Sequence, residues 1–147
     1  MKNDSFRSYK KDEELLSPEV PYLSVISALM YFANYTHPDI VFSINLLARY
    51  NSIPTRRHWN GIKYILCYLY GTTDIGLFYS RESKQQLFGY ADARYLSNPH
   101  KGRSQIGYLF NCNGTTISWR SVKQIIMVTS SNHSKILTIH EASREYI

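Results

Sequence analysis

The chain has 147 residues, 44% of them hydrophobic, which is the composition of a globular protein of one domain or slightly more and excludes a disordered chain. Its 17 Lys and Arg against 11 Asp and Glu give a net charge of +6, which favours a polyanionic partner, although solubility alone would explain it. No apolar run reaches the length of about 18 residues that a transmembrane helix needs, so no membrane partner is expected.

Residues 1–17 are polar, with acidic and basic side chains in balance, and are predicted to form a tail or a linker. This stretch lacks the apolar core of a secretory signal peptide. The two cysteines, Cys67 and Cys112, stand in no pairing motif, so we expect reduced thiols. These features together predict an intracellular protein, cytoplasmic or nuclear and not secreted.

After Pro18 and Pro21, three helices are predicted, because apolar side chains recur at helical spacing. The first helix covers about residues 22–34, the second begins near Pro38, and the third covers about residues 55–70, where Gly71 is placed to end it.

The third helix opens with the densest basic patch of the chain, Arg56-Arg57-His58, with Lys63 after it. Trp59 and Tyr64 flank these charges. Such a patch either grips a phosphate backbone with aromatic support or is an ordinary solvated helix face. The sequence leaves both interpretations open.

From about Gly76 the hydrophobic period changes to two, which predicts β-strands. The strands are predicted at residues 77–79, 87–91, 106–110 and 116–119, and Asn113-Gly114 predicts a hairpin between the last two. Ser130 or Ser131 then caps a helix that runs toward Ile147. Helices, a small antiparallel sheet and one more helix predict an α+β protein.

Asp92 follows the apolar run 87–91 and is a candidate metal ligand, because a strand-end carboxylate can hold a hard divalent cation. A solvated turn carboxylate is the alternative interpretation of a lone Asp. The five histidines form no pair at i, i+4 and lie in no cysteine cluster, so no zinc site is expected. The sequence has no nucleophile elbow, phosphate loop or dinucleotide fingerprint, and we therefore expect no small-molecule substrate.

Short phrases occur along the chain in a fixed order. They include Pro21-Tyr22-Leu23, Thr36-His37-Pro38-Asp39-Ile40, Leu46-Leu47-Ala48-Arg49-Tyr50, His58-Trp59, Gly89-Tyr90-Ala91-Asp92-Ala93, Ile117-Ser118-Trp119-Arg120-Ser121, Lys123-Gln124, Ser130-Ser131-Asn132-His133 and His140-Glu141-Ala142-Ser143-Arg144-Glu145. In this order and spacing the chain resembles, over about residues 12–147, the Pol polyprotein of copia-type LTR retrotransposons.

The resemblance implies a fold for each part of the chain. Residues 18–80 would belong to the helical segment that connects reverse transcriptase to the nuclease. Residues 81–147 would be the first half of a ribonuclease H domain. The expected fold class is α+β, in which a helical connection segment is followed by a truncated ribonuclease H-like antiparallel sheet and its first helix.

The family nuclease cuts the RNA of an RNA–DNA hybrid with two divalent metal ions, Mg²⁺ or Mn²⁺, held by carboxylates. Asp92 matches the first of these carboxylates. The second is the Glu of a phrase like Ser-Ser-x-x-Ala-Glu, and its position holds Lys135. At about 100° per residue no acidic side chain lies near the face of position 135, and the remaining family carboxylates lie beyond the end of the chain. We therefore expect no bound metal and no nuclease activity.

Three hypotheses follow for function. The first is a catalytically inactive remnant that binds an RNA–DNA hybrid or another nucleic acid weakly, through Arg56, Arg57, Lys63, Lys101 and Arg103. The second is a ribonuclease H completed by another chain, and the third is a host-adopted nucleic-acid-binding module without catalysis.

Two features of the sequence bear on these hypotheses. The family has arginine where this chain has His37, Cys67 and Tyr70, and the lost positive charge weakens the binding hypothesis. Half a sheet also leaves an open edge and an exposed apolar face, which predicts poor solubility.

Overall fold

In a computed structural model, the described residues form four α-helices and a three-stranded antiparallel sheet, which confirms the α+β class. The structure describes residues 13–81, 86–98, 103–124, 126 and 128–146. The chain divides into two compact units, Met1–Gly76 and Leu77–Ile147. In the described part of the chain, no helix is long and apolar enough to cross a membrane.

The first unit contains three helices, as predicted. They are α1 (Tyr22–Tyr35), α2 (Val41–Leu47, continued by a short 3₁₀ turn at Ala48–Tyr50) and α3 (Arg56–Gly71). α2 packs against both α1 and α3, and the core contains the fully buried side chains of Ile26, Ile44, Leu47 and Ile62. The buried hydroxyl of Tyr22 donates a hydrogen bond of 3.0 Å to the carbonyl oxygen of Leu47, which ties the start of α1 to the end of α2.

The start of α3 is fixed by a capping box. Thr55 is the N-cap residue, and its backbone N–H donates to Nδ1 of His58 at 3.1 Å. His58 is completely buried, and its ring stacks on Tyr50 with the centroids 4.1 Å apart. The backbone N–H groups of Thr55 and His58 thereby both gain hydrogen-bond acceptors. The first turn of a helix supplies no intrahelical acceptors for such groups. His58 is therefore a structural residue rather than part of an exposed basic patch.

The second unit contains β1 (Leu87–Asn98), β2 (Arg103–Cys112), β3 (Thr115–Lys123) and α4 (Ser131–Tyr146), with the strands in the order β1-β2-β3. Asn113 and Gly114 form the turn between β2 and β3 with φ of 51° and 82°, which confirms the predicted hairpin. The backbone N–H of His133 donates to Oγ of Ser130 at 3.1 Å, so the predicted cap is also confirmed.

The prediction of a strand at residues 77–79 is wrong, because this segment joins no β-ladder. Side chains hold it instead. The Thr115 hydroxyl donates to the carbonyl oxygen of Phe78, and the Tyr79 hydroxyl donates to the carbonyl oxygen of Thr116 at 3.0 Å.

Candidate functional site

Asp92 lies in the middle of β1, because the strand continues to Asn98. It pairs with Gly107 of β2, and its side chain is exposed. The expectation of a carboxylate at a strand end is therefore wrong, as is the alternative of a turn residue. Neighbouring residues of a strand project to opposite faces of a sheet, so Asp92 points away from the face that carries Ala91 and Tyr108.

Lys135 lies on α4 and is exposed. Its neighbours Ser134, Thr138 and Ala142 form the buried side of the helix, and Ala142 packs with Tyr108 and Phe110. α4 thus covers the sheet face opposite to the one from which Asp92 projects. Among the described residues, Asp92 and Lys135 form no hydrogen bond or ion pair with each other, so the structure does not bring the two aligned positions together.

The two acidic residues of α4 have other neighbours. Glu141 forms an ion pair of 3.6 Å with Arg144. Glu145 lies near the Tyr108 hydroxyl, as does Arg120 of β3. Burial raises the pKa of Tyr108, and Glu145 adds to this effect while Arg120 opposes it. Glu145 therefore sits on the helix-covered face, away from Asp92. In the described ranges, no three His, Cys, Asp or Glu side chains come together as a group that could hold a metal ion.

The arginines of the basic patch are paired with acids from the segment before α1. Arg57 Nη2 lies 2.9 Å from Glu13 Oε2, and both side chains are largely buried, at 13% and 15% exposure. Arg56 Nη1 lies 3.2 Å from Glu14 Oε2 in an exposed pair. Composition shows that the charges of residues 1–17 balance one another, but it does not show that two of these acids pair with α3.

Backbone contacts hold these acids in place. Leu15 forms a β-bridge with Thr55, and the N–H of Arg56 donates to the carbonyl oxygen of Glu14 at 3.2 Å. Residues 13–16 thus lie against the start of α3.

The exposed side of α3 carries Arg56, Lys63, Cys67 and Tyr70, because these residues lie within about 40° of Arg56 on a helical projection. The buried side carries His58, Gly61, Ile62 and Ile65. Two of the positions where the resemblance implies arginine, Cys67 and Tyr70, therefore share one face with the two exposed cations. We call this set of four residues the α3 outer face.

Two further predicted binding residues cannot be assigned to a surface. Lys101 lies outside the described residues. Arg103 is the first residue of β2, and its side chain also lies outside them.

Comparison with known proteins gives two kinds of relatives. Secreted RxLR effector protein 161 from Plasmopara viticola is 38% identical over 128 residues, which make up 87% of this chain and 90% of that protein. The retrovirus-related Pol polyproteins from transposon TNT 1-94 of Nicotiana tabacum and transposon RE2 of Arabidopsis thaliana are 35% and 34% identical over 88% and 84% of this chain. The chain spans only 10% and 8% of these polyproteins. No family model and no solved structure matches the chain.

Proposed function

Because the chain belongs to the family of copia-type retrotransposon Pol polyproteins, we propose that it is a remnant of their reverse transcriptase and ribonuclease H region without nuclease activity. In this proposal residues 18–80 are the helical connection segment, and residues 81–147 are the first half of a ribonuclease H-like domain. An antiparallel sheet of three strands followed by one helix is consistent with that assignment.

Lys135 carries the proposal of inactivity. It stands on α4 where the resemblance implies a metal-binding Glu. Two unit charges about 5 Å apart interact with roughly 3 kcal/mol at an effective dielectric of about 20, so replacing a carboxylate by an ammonium turns attraction for a divalent metal into repulsion. Asp92 also projects from the sheet face that α4 does not cover. The residues present do not fit a two-metal centre, and we expect no bound Mg²⁺ or Mn²⁺.

A cleavage assay on an RNA–DNA hybrid tests this proposal. We expect neither the native chain nor Asp92→Asn to cut the hybrid with Mg²⁺ or Mn²⁺, whereas an authentic ribonuclease H cuts it in the same buffer. Cleavage by the native chain that disappears in Asp92→Asn would overturn the proposal. If another chain completes the nuclease instead, Lys135→Glu together with the downstream half of a family domain should restore cleavage.

The α3 outer face favours a second candidate, a nucleic-acid-binding module without catalysis. Arg56 and Lys63 are exposed on this face, Arg56 in a solvent-exposed ion pair with Glu14, whereas Arg57 is held by Glu13 in a largely buried pair.

Salt dependence tests the binding module. We expect a labelled hybrid to bind at low salt. Arg56→Ala combined with Lys63→Ala should reduce the slope of log K against log salt by about 1 for each phosphate that the variant no longer neutralises. Lys135→Ala, an exposed lysine of the second unit, is the matched control and should leave the slope unchanged. Equal slopes for the double variant and the native chain would exclude this face.

A further inference from the structure

A small pocket lies between the start of α2 and the middle of α3 in the first unit. Its volume is about 320 Å³. Ile40 and Ile65 form its buried apolar floor, and Asp39, Tyr64 and Tyr68 stand exposed at its rim. We call it the Asp39 pocket. It is separate from the α3 outer face, because Tyr64 and Tyr68 project from another side of the helix.

The carboxylate of Asp39 is held in place and still has acceptor capacity. The Tyr68 hydroxyl donates to Oδ2 of Asp39 at 2.6 Å. The other oxygen, Oδ1, accepts no hydrogen bond from the described residues. Asp39 raises the pKa of Tyr68 through this hydrogen bond and through its negative charge. The rim therefore presents a fixed negative charge.

Aromatic rings stand next to this charge. Tyr64 is 70% exposed and Tyr68 45% exposed, and they follow each other by four residues on α3. A cation over an aromatic ring is attracted by the electron-rich ring face. A carboxylate, two tyrosine rings and an apolar floor together suit an organic cation with an alkyl stem.

Among the described residues, no lysine or arginine lines the pocket. Arg57 is held by Glu13, and Lys63 lies on the α3 outer face. No ion pair of Asp39 occurs among the described residues. Its charge is therefore open to a cationic ligand from outside the chain.

We propose that the Asp39 pocket binds an arginine side chain presented by a partner polypeptide. The planar guanidinium can stack on a tyrosine ring while it donates to the carboxylate, and its methylene stem can cover the floor. A polyamine fits less well, because Asp39 is the one acid among the lining residues and the chain carries a net charge of +6. A nucleic acid is disfavoured by the carboxylate.

An NMR titration of the full chain with the peptide acetyl-Gly-Arg-Gly-amide tests the proposal. We expect saturable shifts of the Tyr64 and Tyr68 ring signals, and no such shifts with the peptide that carries citrulline instead. Asp39→Asn keeps an acceptor for Tyr68 but removes the charge, and should weaken binding by about tenfold. Tyr64→Ala should weaken it by about two- to fivefold, whereas Tyr64→Phe keeps the ring and should bind like the native chain.

Asp39 and Tyr64 are exposed, so these variants should keep the helical unit folded, which the amide spectrum verifies. The proposal is overturned if the native chain shows no ring shifts or if the citrulline peptide shifts the same signals equally. It is also overturned if Asp39→Asn binds the arginine peptide as tightly as the native chain, or if spermidine binds more tightly than the peptide.

Discussion

Gly89 lies opposite Phe110 in the β1–β2 ladder, and the phenyl ring covers the glycine. A Cβ added at Gly89 would lie 2.6 Å from a ring carbon of Phe110. Gly89→Ala must therefore displace this ring, which packs with Tyr108 and Ala142, and should lower the free energy of unfolding by about 1–3 kcal/mol.

Gly107→Ala is the matched control in the same sheet. The nearest atom to its added Cβ is the Arg120 carbonyl oxygen at 3.6 Å, an ordinary contact. Urea unfolding should show a clear loss for Gly89→Ala and little change for Gly107→Ala. Equal stability of the two variants would show that Phe110 moves aside without cost.

Tyr22 is the residue from which an alkaline dependence of stability is expected. Burial raises the pKa of its phenol far above the usual value of about 10, and Tyr50 contributes in the same direction. Above about pH 10 the unfolded chain releases this proton while the folded chain retains it, so stability falls as the pH rises. Below that pH both states are protonated and the contribution is fully present.

Tyr22→Phe tests this dependence. The variant leaves the Leu47 carbonyl without the phenol donor and should lose about 1–2 kcal/mol at neutral pH. Its additional loss between about pH 8 and about pH 11, measured by urea unfolding, should be smaller than that of the native chain. Tyr108 and Tyr68, whose pKa values are also raised, contribute to the dependence that remains in the variant. An identical alkaline loss in both chains would contradict the assignment to Tyr22.

Hydrogen bonds of Gln124 attach α4 to the sheet. Its backbone N–H donates to the Ser104 carbonyl oxygen at 2.9 Å, and its side-chain amide donates to the backbone carbonyl oxygen of Ser134 at 3.1 Å. The Ser134 hydroxyl returns a hydrogen bond of 3.2 Å to the Gln124 side chain. Both side chains are buried, so a missing partner carries a desolvation cost.

Gln124→Ala should therefore destabilise the second unit by about 1–3 kcal/mol, and Ser134→Ala by about 0.5–1.5 kcal/mol. A double-mutant cycle should show that the two losses are not additive, because both variants remove the hydrogen bond from the Ser134 hydroxyl to Oε1 of Gln124. Lys135→Ala, next to Ser134 but exposed, should change stability by less than about 0.5 kcal/mol. Additive losses would mean that Gln124 and Ser134 act independently.

The sequence predicts elements well where a periodic pattern and a cap agree. α4 is such a case, with Ser130 as its cap, and α3 ends at the predicted Gly71. The three apolar residues 77–79 predict a strand wrongly, because a short pattern does not show whether a ladder partner exists. β1 continues past Asp92 although the residues that follow show no clear alternation of apolar and polar side chains. Pairing with β2 stabilises this part of the strand, and the local pattern does not reveal that partner.

For the candidate site, too, the sequence identifies residues, whereas their surroundings depend on contacts between distant parts of the chain. Resemblance identifies Asp92 and Lys135, but which face of the sheet each occupies depends on strand register and on where α4 packs. The pairing of Arg57 with Glu13 links residues that are 44 positions apart, so no local pattern predicts it. Local signals therefore locate the candidate residues, and long-range contacts determine which of them are available for binding.

The second unit exposes a sheet edge along β1. Within the described residues β1 pairs with β2 alone, and its other edge presents backbone groups without a ladder partner. Leu87, Phe88 and Tyr90 along this strand are 44%, 52% and 56% exposed. An open, apolar edge strand is a template for pairing with a second chain, and lysine on such a strand is a common protection against it.

We therefore expect the chain to self-associate through β1, with a sedimentation coefficient that rises with protein concentration. Phe88→Lys should reduce this rise without loss of the fold, because Phe88 is half exposed and a charged side chain opposes close pairing of two copies. Tyr70→Lys is the control, since it adds the same charge to an exposed position of the first unit. Only Phe88→Lys alters the β1 edge itself. If both variants reduce association equally, the net charge of the chain rather than the β1 edge governs self-association.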